Sequence, residues 1–145
     1  MAAISRADAT WEGDLMNGSG KVKVASGTFN EFPVTWAHRA DREQGGTSPE
    51  ELIAAAHAAC YSMALSNGLA KAGHDPERLN TTAEVEFVPG KGIVSSTITV
   101  RGHIHGLSAE DFEKFAEEAK DGCPVSQALK GNVELRLKAE LDHVH

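Results

Sequence analysis

Only two cysteines, Cys60 and Cys123, stand among the 145 residues, and no C-x-x-C spacing joins them. That excludes a four-cysteine zinc site and a dense disulfide framework. Aromatic residues are few, two Trp, one Tyr and five Phe. A core must therefore be mostly aliphatic, and helical where the alanines cluster. Basic charge is short: 14 Lys and Arg face 21 Asp and Glu, a net charge of −7. This argues against non-specific nucleic-acid binding and against docking on an anionic membrane. No apolar run reaches transmembrane length, and Met1 to Asp8 lacks the basic-plus-apolar pattern of a signal peptide. A cytoplasmic protein is expected. There, two cysteines that pair are more often catalytic or redox-sensing than a permanent staple. The length fits one domain, 1–145, with a real core.

What is present is organised around the stretch from Ser48 to Leu65. Ser48 is a good N-cap, Pro49 at the first helical position loses no needed N–H, and Glu51 completes a capping box. Gly73, just after Lys71, marks the stop. From Leu52 to Leu65 the helix is apolar on nearly every side, broken only by His57, Cys60, Tyr61 and Ser62. Such a helix is expected to be buried all round.

Before it, residues 6–12, 21–26 and 32–37 read as three short strands in an antiparallel meander, with Pro33 at an edge or a strand start. Arg39 follows at the end of the third. Ala40 to Thr47 is a charged, glycine-bearing loop. After the helix, Thr82 to Val88 and Ile93 to Arg101 flank a hairpin signal at Pro89 to Gly92, the second strand rich in β-branched residues. Ser108 caps a helix that Gly122 closes, with Phe112, Phe115, Ala116 and Ala119 at helical spacing. Pro124 to Leu129 is a short second helix. Val133, Leu135, Leu137, Ala139 and Leu141 line one face of a last strand. The order β-β-β-α-β-β-α-α-β, with hairpins and single helices, fits an α+β fold.

Cys60 lies mid-helix among alanines. The residue type favours a buried, inert thiol, and a nucleophile there needs a cationic or hydrogen-bonding partner from elsewhere. Cys123 sits at the N-cap of the short helix, where exposed N–H groups favour a thiolate. By that logic it is the more reactive of the two, with a plain helix cap as the equal alternative. His57 is one turn before Cys60; it is a base or, more commonly, a hydrogen-bonded core histidine. His103 with His105 and His143 with His145 alternate as metal-binding pairs do, but lack a third ligand and read as solvated strand faces. Arg39 and Glu50 alone are surface charges or a cap.

The stretch Thr47-Ser48-Pro49-Glu50-Glu51-Leu52 through His57-Ala58-Ala59-Cys60-Tyr61-Ser62-Met63, with Gly122-Cys123-Pro124-Val125-Ser126, closely resembles the OsmC/Ohr family. The OsmC branch fits better than the organic hydroperoxide resistance branch. Trp11-Glu12-Gly13-Asp14 and Ser26-Gly27 extend the likeness to almost the whole chain. The resemblance implies an OsmC-like fold, an intertwined homodimer with sites at the subunit interface, and a thiol-dependent peroxidase that prefers organic hydroperoxides to hydrogen peroxide. No cofactor or metal is called for. It implies Cys60 as peroxidatic and Cys123 as resolving cysteine, Glu50 as the family glutamate and Arg39 as the arginine beside the thiolate. The reductant it implies is a dithiol such as dihydrolipoyl groups, and oxidative or osmotic stress is the setting.

An arginine beside Cys60 would favour the thiolate, and Glu50 would hold that arginine by a bidentate pair. Leu52, Ile53, Met63 and Phe112 would wall an apolar site suited to an alkyl hydroperoxide. Glu50 and Cys60 are ten residues apart, about 15 Å on a continuous helix. They are expected to meet only if two copies cross antiparallel near Ala55. Two other readings stand beside the peroxidase. One is a non-enzymatic dimeric stress or binding protein with structural cysteines. The other is a metal-binding protein using His103, His105, His143 and His145.

Overall fold

The structure is a computed structural model that describes residues 2–41 and 45–142. It divides into two compact units, Met1–Leu52 and Ile53–His145.

In the first unit, β1 (Ala7–Glu12), β2 (Ser19–Val24) and β3 (Phe32–Val34) form an antiparallel sheet in the order β1-β2-β3. Ala7 opposes Val24 and Glu12 opposes Ser19, so Asp14 to Gly18 forms the turn. The turn is closed by Gly18 N–H on Asp14 O at 2.8 Å and by Asn17 N–H on the Asp14 carboxylate at 2.8 Å. Gly20 has no room for a side chain: an added Cβ would lie 2.7 Å from the Trp11 ring. The third strand is three residues long rather than six. Beyond it the chain winds into a π-helical turn, Ala37–Asp41. Arg39 therefore sits in that turn and not at a strand end, and its N–H bonds Thr35 O at 3.2 Å. The expected loop from Ala40 to Thr47 is described only at Ala40, Asp41 and from Gly45 onward.

Helix α1 (Pro49–Lys71) begins where the capping residues place it. Ser48 Oγ accepts from Glu51 N–H at 3.1 Å, and the Glu51 carboxylate accepts from Thr47 Oγ1 at 2.5 Å. It ends in a Schellman turn at Gly73 (φ +86°). There Gly73 N–H bonds Ala70 O at 3.0 Å and His74 N–H bonds Leu69 O at 2.9 Å. Only glycine adopts this backbone without strain.

The second unit holds most of α1 with β4 (Arg78–Val88), β5 (Gly92–His103), α2 (Ala109–Gly122), α3 (Pro124–Leu129) and β6 (Glu134–Asp142). The sheet order is β4-β5-β6. β4 and β5 pair antiparallel through the expected hairpin, with a bulge at Glu86/Phe87. β6 lies parallel to β5, from Ser95 opposite Glu134 to His103 opposite Asp142. A parallel pair needs a crossover, and α2 with α3 supplies it. Ser108 Oγ caps α2 by accepting from Asp111 N–H at 3.1 Å.

The core is Tyr61, Leu65 and Leu69 of α1, Ile98 and Val100 of β5, Ile104, and Phe112, Ala116 and Ala119 of α2, with Cys123. The α1 contribution is one stripe at every fourth residue, as helical packing requires. Tyr61 Oη donates to Ala116 O at 2.9 Å, satisfying the one polar atom it brings inside. Gly102 lets the Phe112 ring approach so closely that an added Cβ would lie 2.7 Å from it. The all-round burial expected of α1 is not found within this chain. Ala55, Ala56, Ala59 and Met63 are exposed, Met63 at 73%.

Candidate active site

The residues singled out in the sequence fall into two groups, one in each unit. In the first unit Arg39 and Glu50 form a bidentate pair. Arg39 Nε donates to Glu50 Oε1 at 3.1 Å and Oε2 at 3.2 Å, and Arg39 Nη2 donates to Oε2 at 3.0 Å. The Glu50 carboxylate is almost fully buried, while the Arg39 side chain is one-third exposed at 34%. Glu50 lies in the first turn of α1, where the helix N-terminus favours an anion. Two forked bonds fix the guanidinium plane as a lysine could not be fixed. Arg39 lines an apolar cavity of about 470 Å³ with Trp11, Leu15, Val34, Trp36 and Leu52.

In the second unit the two cysteines come together as free thiols, Cys60 half-buried and Cys123 fully buried. The Cys123 thiol and the Val125 backbone N–H lie near enough to Cys60 to act on its charge. Burial is the main force pushing the Cys60 thiol above its ordinary value; the hydrogen bond with Cys123 and its charge push the same way, and the Val125 N–H pulls down. Among these influences none is a cation, so within this unit Cys60 is held as the thiol.

Cys60 opens onto a groove of about 730 Å³ along α1 and α2, walled by Ala56, Ala59, Met63, Ala64 and Phe115. Three of the four expected wall residues lie elsewhere. Phe112 is turned into the core against Gly102, and Phe115, one turn on, takes its place at the groove. Leu52 lines the Arg39 cavity instead, and Ile53 is partly buried and lines neither. Met63 is at the groove as expected.

The N-cap logic that favoured Cys123 as the more reactive thiol meets its burial. It caps α3 through its backbone and makes no side-chain cap bond. Gly122 and Pro124 line the groove but Cys123 does not, so substrate access falls to Cys60.

His57 is fully buried. Its Nδ1 is 2.7 Å from Ser96 Oγ on β5, and its Nε2 is 2.8 Å from Ser126 Oγ on α3. Burial lowers its pKa below 6.5, so the ring is neutral at pH 7, one nitrogen donating and the other accepting. It is the hydrogen-bonded core histidine rather than a base on Cys60. No role at the site is expected of Ser96, Ser126, Val125 or Phe115 from the sequence, although Val125 and Ser126 stand inside the Cys123 motif and Phe115 on the apolar spacing of its helix.

Among the described residues the His103–His105 pair builds no metal centre. His103 Nε2 and His105 Nε2 both reach the Glu77 carboxylate, at 3.2 and 2.8 Å. Among the described residues no group of three or more His, Cys, Asp or Glu is arranged to hold a metal ion. His143 and His145 lie outside the described residues. Among those residues no helix is long and apolar enough to cross a membrane.

Comparison with known proteins follows the same lines. Residues 41–138 match the family model described as OsmC-like protein. The peroxiredoxin OsmC of Escherichia coli is 41% identical over 138 residues, covering 93% of this chain and 96% of that protein. An organic hydroperoxide resistance protein-like 1 of Staphylococcus saprophyticus is 33% identical over 103 residues, covering 68% of this chain and 72% of that one. Among solved structures, an organic hydroperoxide resistance protein OsmC from Legionella pneumophila superposes with a TM-score of 0.71 at 28% identity, over 96% of this chain and 99% of that one. An organic hydroperoxide resistance protein from Elizabethkingia anophelis gives 0.72 at 26% identity, over 98% and 100%.

Proposed function

The chain belongs to the OsmC-like protein family, and on that premise we propose that it is a thiol-dependent peroxidase that reduces organic hydroperoxides to alcohols in stress defence. The observation that carries this reading is a half-open Cys60 on an apolar groove with a second, buried thiol within hydrogen-bonding reach. In the proposed cycle the Cys60 thiolate attacks the distal peroxide oxygen. The O–O bond breaks, alcohol leaves, and Cys60 becomes a sulfenic acid. Cys123 then condenses with it, releasing water and forming the Cys60–Cys123 disulfide. A dithiol such as a dihydrolipoyl group returns both cysteines to thiols. No cofactor or metal enters these steps.

The missing element is a cation to favour the thiolate, and Arg39, oriented by Glu50, is our candidate. Glu50 and Cys60 are ten residues apart on α1, about 15 Å of helix rise. We therefore assign each site to two copies of the chain, with Arg39 and Glu50 of one facing Cys60 of the other across antiparallel α1 helices near Ala55. The exposed apolar strip of Ala55, Ala56, Ala59 and Met63 supports such a homodimer, as does β1, exposed along its whole length. In this reading residues 1–145 act as one OsmC-like domain in the cytoplasm.

The test is turnover of tert-butyl hydroperoxide and of hydrogen peroxide with dihydrolipoamide as reductant. The organic peroxide should turn over faster, and Cys60→Ser should abolish the reaction. No turnover, with both thiols still free afterwards, would leave a dimeric binding protein with structural cysteines.

A further inference from the structure

The α1 stripe that packs into the core reads His57, Tyr61, Leu65, Leu69. Three of the four carry large apolar bodies. The exception stands one turn before Cys60, and a buried imidazole is costly unless both nitrogens are satisfied. Here both are, by hydroxyls that are themselves buried: Ser96 is 0% and Ser126 1% exposed. The two serines come from different elements, β5 and α3. Ser126 directly follows Val125, whose backbone N–H acts on the charge of Cys60, and stands three residues after Cys123. The turn Cys123–Ser126 is thus tied to α1 at His57 by Ser126, on the side where Val125 approaches Cys60. The tie through His57 continues to the central strand of the sheet. The first turn of α3 is otherwise held by the burial of Cys123, the packing of Val125 on the core and the Cys123 N–H on Ala119 O at 2.9 Å, and the His57 link is its side-chain tie to α1.

We propose that His57 is a positioning residue for the resolving step, holding the first turn of α3 through Ser126 so that Cys123 stays in line with the Cys60 sulfur. This deepens the peroxidase reading above and rests on it. When Cys60 is a sulfenic acid, two reactions compete for it. The Cys123 sulfur attacks the Cys60 sulfur, the S–O bond breaks, and the oxygen leaves as water with the proton lost by Cys123. Alternatively a second hydroperoxide transfers an oxygen to Cys60, leaving as alcohol and giving a sulfinic acid. The first reaction depends on how constantly the two sulfurs are aligned; the second depends only on peroxide concentration. A link that steadies α3 therefore shifts the partition toward the disulfide more than it alters the first oxidation, which the same turn touches only through Val125.

The experiment measures that partition. Wild type, Ser126→Ala and His57→Gln, each checked for native circular dichroism, are exposed to rising tert-butyl hydroperoxide without reductant. Intact-mass spectrometry then counts disulfide against sulfinic acid. The rate of the first step is measured separately in a Cys123→Ser background by trapping the sulfenic acid with dimedone. Both substitutions should change that first rate far less than the disulfide step. Disulfide formation should slow by about 10-fold to 100-fold, the scale of a small misplacement of reacting atoms, and sulfinic acid should appear at correspondingly lower peroxide. A purely structural role for His57 would lower the melting temperature and leave the partition alone. A partition equal to wild type in whichever variant folds overturns the inference and leaves the peroxidase reading standing. Wild-type Cys60 that takes up no oxygen overturns both.

Discussion

At the scale of single residues, the charge environment of Cys60 decides reactivity. Within its own unit burial and the Cys123 thiol both hold it protonated, and the Val125 N–H is the one opposing influence. A raised thiol pKa means that the thiolate fraction, and with it the rate of the first oxidation, grows as pH rises. The proposed guanidinium works against this by stabilising the anion. Arg39→Met should therefore move the pH midpoint of sulfenic acid formation upward by about one to three units, the range for loss of a close opposite charge. A stopped-flow pH profile of that step checks it, and an unchanged midpoint removes Arg39 from the site. The pairing of Arg39 with Glu50 was foreseeable only through the family resemblance, since each alone reads as a surface charge or a cap. The partners of His57 were not, because Ser96 and Ser126 lie 39 and 69 residues further along the chain. No local pattern marks a serine as the acceptor or donor for one particular buried histidine.

At the scale of elements, caps and breakers made most of the fold legible. Ser48 with Pro49 and the Schellman turn at Gly73 bound α1, and Ser108 bounds α2, where the sequence expects them. The strands appeared in the expected order, but β4 begins at Arg78 and β5 runs on to His103. Their extra residues pair with each other, Arg78 with His103 and Asn80 with Arg101. Cross-strand pairing of this kind is a tertiary fact that alternation of polar and apolar residues does not register. The π-helical turn after β3 also escaped, since five residues offer too few periods to read. Close packing is equally invisible in a string: Gly102 looks like a weak point in a strand, yet it is the seat of Phe112. Gly102→Ala should cost about 1–3 kcal/mol by overpacking, visible as a lowered melting temperature with little change in the chemistry at Cys60.

At the scale of the whole molecule, the exposed apolar strip of α1 is the feature that a single copy leaves unexplained. If two copies cross there, a long charged side chain at the crossing point should part them. Ala55→Arg is expected to turn a dimer into a monomer by light scattering while leaving helix content intact, and to cut peroxide turnover by separating Arg39 from Cys60. A variant that stays dimeric, or a monomer that retains full turnover, would count against a site shared between copies. The parallel pairing of β5 with β6 has a consequence of another kind, during synthesis of the chain. Strand β5 cannot receive its neighbour until residues 134–142 have been made, long after the helix bearing Cys60. Pairing across so long a separation is slow compared with helix formation. For that interval a nascent chain carries Cys60 before the segment with Cys123 has been locked in place. In the proposed cycle, a Cys60 oxidised during that interval would have no Cys123 in place to condense with, so protection of the thiol by disulfide formation begins only once the C-terminal strand has paired.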